Sequence, residues 1–294
     1  MDIFAIVGLF LGIGFILVGQ GMEGGNIGQL LQITAAFIVL GGTTGGIVLS
    51  FPPAVLKDAA GLFKDVITLF TIIIIHELGH IILSRLFKWN IKSVEIGVFG
   101  GFITYDDVID KPFIEEIIIS LGGFLMQGLI FLITYILSKN GLFSIKEASL
   151  INRYNLSIFL FNAIPVYPLD GSKILLVILN MFIPYKKSLK ITCFMSVLLI
   201  FLIFLLLISL DVKVNSSYII IGLFIMGKVI SLIKDIPYLF NKLLFERYLY
   251  KPINFKITYV NGLDLTMFKR GRKHYFIKDG HFIPEMKILK ERFD

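Results

Sequence analysis

Residues Val66–Leu83 read VITLFTIIIIHELGHIIL, and they set ionisable side chains within a membrane-length apolar stretch. On a helix, residues four apart share a face, so the imidazoles of His76 and His80 can reach one metal ion. Glu77 lies one step around the helix, where its carboxylate can hold a water molecule. Ionisable side chains are costly inside a membrane, and there they usually mark a functional site. The stretch therefore predicts a zinc-dependent hydrolase whose active site lies within the bilayer.

The composition is that of a membrane protein. The 294 residues are 56% hydrophobic and 17% charged, whereas soluble domains are about 45–50% apolar and about 25% charged. One cysteine, Cys193, excludes an intramolecular disulfide and a Cys-rich zinc site. Residues 234–294 carry 13 Lys or Arg and 7 Asp or Glu, which gives +6 of the total charge of +7. This basic tail predicts a cytoplasmic location near anionic lipid; nucleic-acid binding is the weaker alternative.

Seven apolar segments approach the length of a membrane span, since a bilayer core of roughly 30 Å needs about 20 apolar residues per helix. They lie at about 3–19, 29–51, 65–84, 113–137, 155–184, 188–210 and 216–235. Pro165, Pro168 and Gly171 break the fifth segment. Lys and Arg follow the third and fifth segments, so these loops and the tail are expected in the cytoplasm.

A hairpin is predicted between the third and fourth segments. In residues Val94–Tyr105, apolar residues flank the pair Gly100 and Gly101. Such a hairpin can dip towards the active site and offer a strand edge to an unwound substrate; a turn on the aqueous side is an equal alternative. The predicted fold is an all-α polytopic membrane protein of about six to seven transmembrane segments, with a short membrane-associated β-hairpin and a small cytoplasmic C-terminal tail.

A catalytic zinc ion needs three protein ligands and an open position for water. Asp170 is the best third ligand, because it stands at the break between Pro168 and the restarted helix. The alternatives are that Asp170 caps that helix, or that Glu115 or Glu116 is the ligand. Asn162, before the break, could contact a substrate backbone or tie two helices together.

These residues resemble the site-2 protease family of intramembrane metalloproteases. HELGH at 76–80, FGG at 99–101 and NAIPVYPLDG at 162–171 stand in the family's order. Within it, the stretch of about 61–294 is most similar to the stage IV sporulation proteases of endospore formers. The resemblance implies regulated cleavage of a membrane-tethered pro-sigma factor and membrane proteins as inhibitors. It implies that the Zn²⁺ ligands are His76, His80 and Asp170 and that the general base is Glu77. It also implies that the substrate-binding residues are Asn162, Pro165, Gly100 and Gly101.

The sequence departs from that family in three places. Val98 stands where the family's hairpin often has proline, and GGF at 122–124 stands where Ala-Gly-Pro is usual. The tail, residues 236–294, resembles only a reduced form of the family's nucleotide-sensing CBS domain. The protease domain is therefore expected at 61–235.

Residues 1–60 resemble a different family, the flagellar motor stator A subunit, through MDI at the start, EGGN at 23–26 and AAFIVLGGT at 35–43. This pair of segments suggests a fusion with the protease part. The stator's later helices and cytoplasmic loop are absent, so its function does not carry over. An ion-conducting or stator-like membrane subunit that uses the buried charges as a relay is an alternative function, and an inactive membrane scaffold is another. The intact Glu77 argues against the scaffold.

Overall fold

The structure is a computed structural model, and it describes residues 53–97, 100–106, 109–211, 216–250 and 255–294. Its helices, numbered along the chain, are α1 (Pro53–Leu86), α2 (Phe113–Ser120), α3 (Gly122–Lys139), α4 (Ile145–Ala163), α5 (Asp170–Phe182), α6 (Tyr185–Ser209), α7 (Ser216–Leu249) and α8 (Glu285–Phe293). Its strands are β1 (Ile91–Gly97), β2 (Gly100–Tyr105), β3 (Lys256–Asn261), β4 (Arg272–Lys278) and β5 (His281–Pro284). The predicted segments at 3–19 and 29–51, and nearly all of the stator-like part, lie outside these ranges.

The chain divides into two compact units, Met1–Val66 and Ile67–Asp294. Of the first unit, the structure describes residues 53–66, which belong to the beginning of α1. Both sheets, the other helices and the predicted site residues belong to the second unit.

The fold is mostly helical, as predicted, and it also contains small β-sheets. Within the described ranges, three helical stretches are long and apolar enough to cross a membrane: Gly61–Leu86, Phe113–Lys139 and Tyr185–Ser209. They correspond to the predicted third, fourth and sixth segments. The middle stretch consists of α2 and α3, which meet at Leu121.

The predicted fifth segment is two helices, as its prolines indicated. The first of them, α4, begins at Ile145, about ten residues earlier than the apolar pattern predicts. A reciprocal capping box starts it: Ser144 Oγ accepts from the Glu147 backbone N–H at 3.2 Å, and Glu147 Oε2 accepts from the Ser144 N–H at 3.1 Å. Polar residues in the first turns of α4 lower the local hydropathy, so the apolar pattern does not show where this helix begins.

The C-terminal residues form a three-stranded sheet and the helix α8. Strand β3 pairs in parallel with β4, and β4 pairs antiparallel with β5. This sheet shares one hydrophobic core with α6, α7 and α8. The buried members of that core are Tyr185, Leu189, Cys193, Val229, Leu232, Ile236, Phe240, Leu243, Leu244, Val260, Phe268, Phe276 and Leu289. The predicted all-α class therefore holds for the described residues 109–211 and 216–250, and the C-terminal residues add a mixed sheet.

Buried ion pairs also join the C-terminal residues to the segment just before α3. We call Asp110, Glu116, Arg247, Arg270 and Glu285 the C-terminal ion-pair cluster. The Arg270 guanidinium donates to both Glu116 carboxylate oxygens, and Arg247 pairs with Asp110 and with Glu285. Burial would lower the pKa of Arg270, but the Glu116 carboxylate, together with Tyr185 and Asp110, raises that pKa above its ordinary value. Removing one partner of such a buried pair typically costs about 3–5 kcal/mol.

Candidate metal centre

Two histidines and one aspartate converge in the interior of the helical part. The Nε2 atoms of His76 and His80 lie 3.3 Å apart, and each is 3.0 Å from Oδ2 of Asp170. All three residues are buried, and one donor atom from each lies within 4.8 Å of the others. Two imidazole nitrogens and a carboxylate oxygen form a donor set that suits a zinc ion and leaves a fourth position open. The residues present therefore fit the metal that the sequence predicts.

The local folding of α1 and α5 explains this convergence. His76 and His80 stand one turn apart on α1, so their rings point to the same side. Asp170 is the first residue of α5, after the break at residues 164–169. Leu169, not Asp170, is the N-cap residue, and no side chain caps this helix. The carboxylate of Asp170 faces the two histidines, which is the arrangement expected of a ligand rather than of a cap.

A backbone carbonyl fixes the ring of His80. The Nδ1–H of His80 donates to the carbonyl oxygen of Ile119, in the last turn of α2, at 2.7 Å. This tautomer leaves the Nε2 lone pair directed at the shared point between His76 and Asp170. Ile119 was not among the sequence-predicted site residues, because a backbone carbonyl acts here and no residue type signals it.

Glycines allow the helices around the histidines to approach closely. A Cβ on Gly123 would collide with the His76 ring, and one on Gly122 would collide with the backbone of Gly79. The GGF sequence at 122–124, which stands where the family usually has Ala-Gly-Pro, therefore retains the middle glycine, Gly123, against which His76 packs. Phe124 adds an edge-to-face ring contact with His76, with 6.2 Å between the ring centroids.

Replacing Gly123 with alanine is expected to push the His76 ring out of place. We expect a roughly 10–100-fold loss of zinc affinity, the usual effect of disturbing the shell around a ligand, and a loss of about 1–3 kcal/mol in the free energy of unfolding from overpacking. Chelator competition and thermal unfolding measure the two effects. Gly128→Ala is the matched control, because nothing lies within 4 Å of a Cβ at that position of α3. Equal zinc affinity in both variants would contradict the steric argument.

The hairpin reaches the site, as one of the two sequence readings predicted. Strands β1 and β2 pair antiparallel, and Gly100 pairs with Gly97. The Gly101 N–H donates to Oε1 of Glu77 at 3.1 Å. A Cβ on Gly101 would overlap the Glu77 carboxylate. Glycine at this position thus lets the strand lie directly against the predicted general base.

A largely apolar cavity of about 320 Å³ opens beside these groups. Its polar lining includes Glu77, Asp170 and Asn162, and Gly101 and Pro168 also face it. The Nδ2 of Asn162 donates to the carbonyl of Ile158 within its own helix at 3.2 Å. Pro165 lies in the same break but is not one of the residues that line this cavity.

The rival ligands Glu115 and Glu116 are engaged elsewhere. Glu115 Oε2 accepts from the indole Nε1–H of Trp89 at 2.8 Å, and Glu116 pairs with Arg270. Neither belongs to the His76, His80 and Asp170 group.

Comparison with known proteins identifies the relatives of this chain. No protein-family model matches it. Stage IV sporulation protein FB of Bacillus subtilis is 27% identical over 237 residues, which cover 76% of this chain and 80% of that protein. A zinc metalloprotease of Methanocaldococcus jannaschii is 32% identical over 167 residues, which cover 54% of this chain and 46% of that protein.

A solved structure, the site-2 protease from Methanocaldococcus jannaschii, is 26% identical and covers 56% of this chain and 75% of its own, with a TM-score of 0.46. The chain is a homologue of the site-2 proteases. This homology is inferred from sequence identity and not from the structural superposition. It confirms the resemblance drawn from HELGH at 76–80 and from the proline-rich break before Asp170.

In this site-2 protease homologue, the sequence reading overlooked one charged residue at the metal centre. Lys173 Nζ donates to Oδ1 of Asp170 at 2.8 Å and lines the same cavity. A signal was present, since residues three apart on a helix are neighbours and Lys173 follows Asp170 at that distance.

Proposed function

We propose that this chain is an intramembrane zinc metalloprotease that cleaves a membrane-tethered protein. The convergence of His76, His80 and Asp170, with Glu77 facing the adjoining cavity, carries this proposal. The named zinc metalloproteases among its relatives support the choice of zinc. The apolar stretch Gly61–Leu86, which holds His76, Glu77 and His80, supports an active site within the bilayer.

In the proposed reaction, His76, His80 and Asp170 hold the zinc ion. That ion supplies Lewis acidity, which lowers the pKa of a water molecule towards about 7 and polarises a carbonyl oxygen. Glu77 accepts a proton from the attacking water at its carboxylate and then delivers it to the leaving amine. The Gly101 N–H bonded to Oε1 orients that carboxylate.

The hairpin is proposed to bind the substrate as an added strand. A helical substrate must unwind before its carbonyls can react, because they are hydrogen-bonded within the helix. In the described part of the chain, β2 pairs with β1 alone in its sheet, so an extended peptide can pair along the other edge of β2. Gly100 and Gly101 would then guide the substrate backbone, and Asn162 and Pro165 would contact it from the α4–α5 break.

The substrate is proposed to be a pro-sigma factor of sporulation. The 27% identity with stage IV sporulation protein FB supports this assignment. We also propose that the chain crosses the membrane several times and that its C-terminal residues lie in the cytoplasm. Co-expression with a tagged, membrane-tethered pro-sigma factor tests the proposal: a shortened product is expected, and an uncut substrate beside correctly inserted protease would refute the assignment.

Metal removal tests the reaction class. The purified full chain is expected to hold about one zinc per chain, since the site supplies three ligands and an open position. Dialysis against a strong chelator should abolish cleavage, and added zinc should restore it. Elemental analysis and a cleavage assay on the same samples measure both effects. Full activity in a zinc-free sample would refute a zinc protease.

A further inference from the structure

We propose that Lys173 is a positioning residue, which holds the Asp170 carboxylate so that a single oxygen faces the metal. The inference rests on the proposed function, because the metal is the zinc ion proposed there. The two carboxylate oxygens have separate partners. Oδ1 accepts from Lys173 Nζ at 2.8 Å, whereas Oδ2 lies 3.0 Å from Nε2 of both His76 and His80.

The ammonium compensates a charge that burial makes costly. The Asp170 side chain is 5% exposed, whereas the Lys173 side chain is 48% exposed and reaches the carboxylate from the side of the cavity. A buried carboxylate needs a paired charge and hydrogen bonds to remain ionised and fixed. Lys173 supplies both on the oxygen that the histidines do not approach.

The neighbouring polar group does not compete for this role. The Ser172 hydroxyl donates to the carbonyl of Leu169 at 2.7 Å, so it does not engage the carboxylate. Without the ammonium, the Asp170 carboxylate is free to rotate about its last bond. It could then present both oxygens to the metal or turn away from it.

An ordinary exposed ion pair would behave differently. Such i,i+3 pairs on a helix surface contribute little to stability, and they have no influence on a metal centre. A positioning role instead predicts a change in metal affinity and in coordination, even where folding is intact. These two readouts separate the alternatives.

The test uses the full-length chain in detergent, with zinc or cobalt as the probe. Zinc affinity is measured by chelator competition, and Co²⁺ absorption reports the coordination number. For Lys173→Met we expect a roughly 10–100-fold weaker zinc affinity and an altered Co²⁺ spectrum. Lys173→Arg keeps the charge and the hydrogen-bond donors, so it should lose much less zinc affinity than Lys173→Met. The matched control is Lys190→Met, which removes an exposed lysine on α6 and should change neither readout.

Each outcome bears directly on the positioning role of Lys173 or on the proposed function. Wild-type zinc affinity and an unchanged Co²⁺ spectrum in Lys173→Met would overturn the positioning role while leaving the proposed protease intact. A wild-type chain that binds no zinc would instead refute the proposed function itself. If Lys173→Met does not fold, Lys173→Gln is measured in its place. It retains a hydrogen-bond donor without the charge, and wild-type affinity there would equally overturn the charge-based role.

Discussion

Glu77→Gln should abolish cleavage while leaving the zinc content at the wild-type value. The amide keeps the size of the side chain but cannot accept the proton of the attacking water. General-base catalysis typically contributes about 10²–10⁴-fold, so we expect turnover to fall at least by that factor. The metal is expected to stay because His76, His80 and Asp170 are unchanged. Product formation from a membrane-tethered substrate and zinc analysis of the same preparation measure the two effects.

A second variant at the same position controls for misfolding. Glu77→Asp retains a carboxylate but withdraws it by one methylene, so it should keep a small residual activity that the glutamine variant lacks. Near-wild-type turnover by Glu77→Gln would remove Glu77 from the role of base. Loss of zinc from that variant would show that Glu77 supports the metal directly.

Asp170→Ala should lower both zinc occupancy and activity. If a zinc-binding free energy of about 10–16 kcal/mol divides among the three protein ligands and a water molecule, one ligand contributes roughly 2.5–4 kcal/mol, a factor of about 10²–10³ in affinity. The substitution also leaves Lys173 without its carboxylate partner. Chelator competition gives the affinity, and cleavage at saturating zinc separates a weakened site from a chemically dead one.

Asp170→Asn is the matched variant, because it preserves the shape of the side chain and its remaining neutral oxygen. We expect its zinc affinity to lie between those of the wild type and the alanine variant. An unchanged zinc content in Asp170→Ala would show that the third ligand lies elsewhere. Glu115 and Glu116 are then the residues to examine, although their contacts with Trp89 and Arg270 argue against them.

Local chemistry explains which parts of the site were predictable. The spacing of His76 and His80 follows from helix geometry, and Pro168 before Asp170 marks where the helix must stop and restart. Gly101 against Glu77 could be anticipated because a glycine pair between apolar residues permits close backbone approach. Each of these inferences needs information from only a few neighbouring residues.

Long-range pairing explains what the sequence could not predict. Arg270 and Glu116 are 154 residues apart, and a basic tail is equally compatible with charges exposed to water. The carbonyl of Ile119 is invisible to any residue-type pattern. The early start of α4 was missed for another reason, since Ser144 and Glu147 lower the hydropathy where the helix begins.

The C-terminal ion-pair cluster and the shared core have a consequence for how this protein unfolds. Arg270 is buried against Glu116, one helical turn from the Ile119 carbonyl that holds His80. Detaching the C-terminal sheet would leave Glu116 without Arg270 and Arg247 without Glu285, and it would expose the apolar faces of α6 and α7. The sheet is therefore not expected to unfold by itself. We expect the second unit to lose its structure in one cooperative transition, in which the metal centre is lost together with the C-terminal strands.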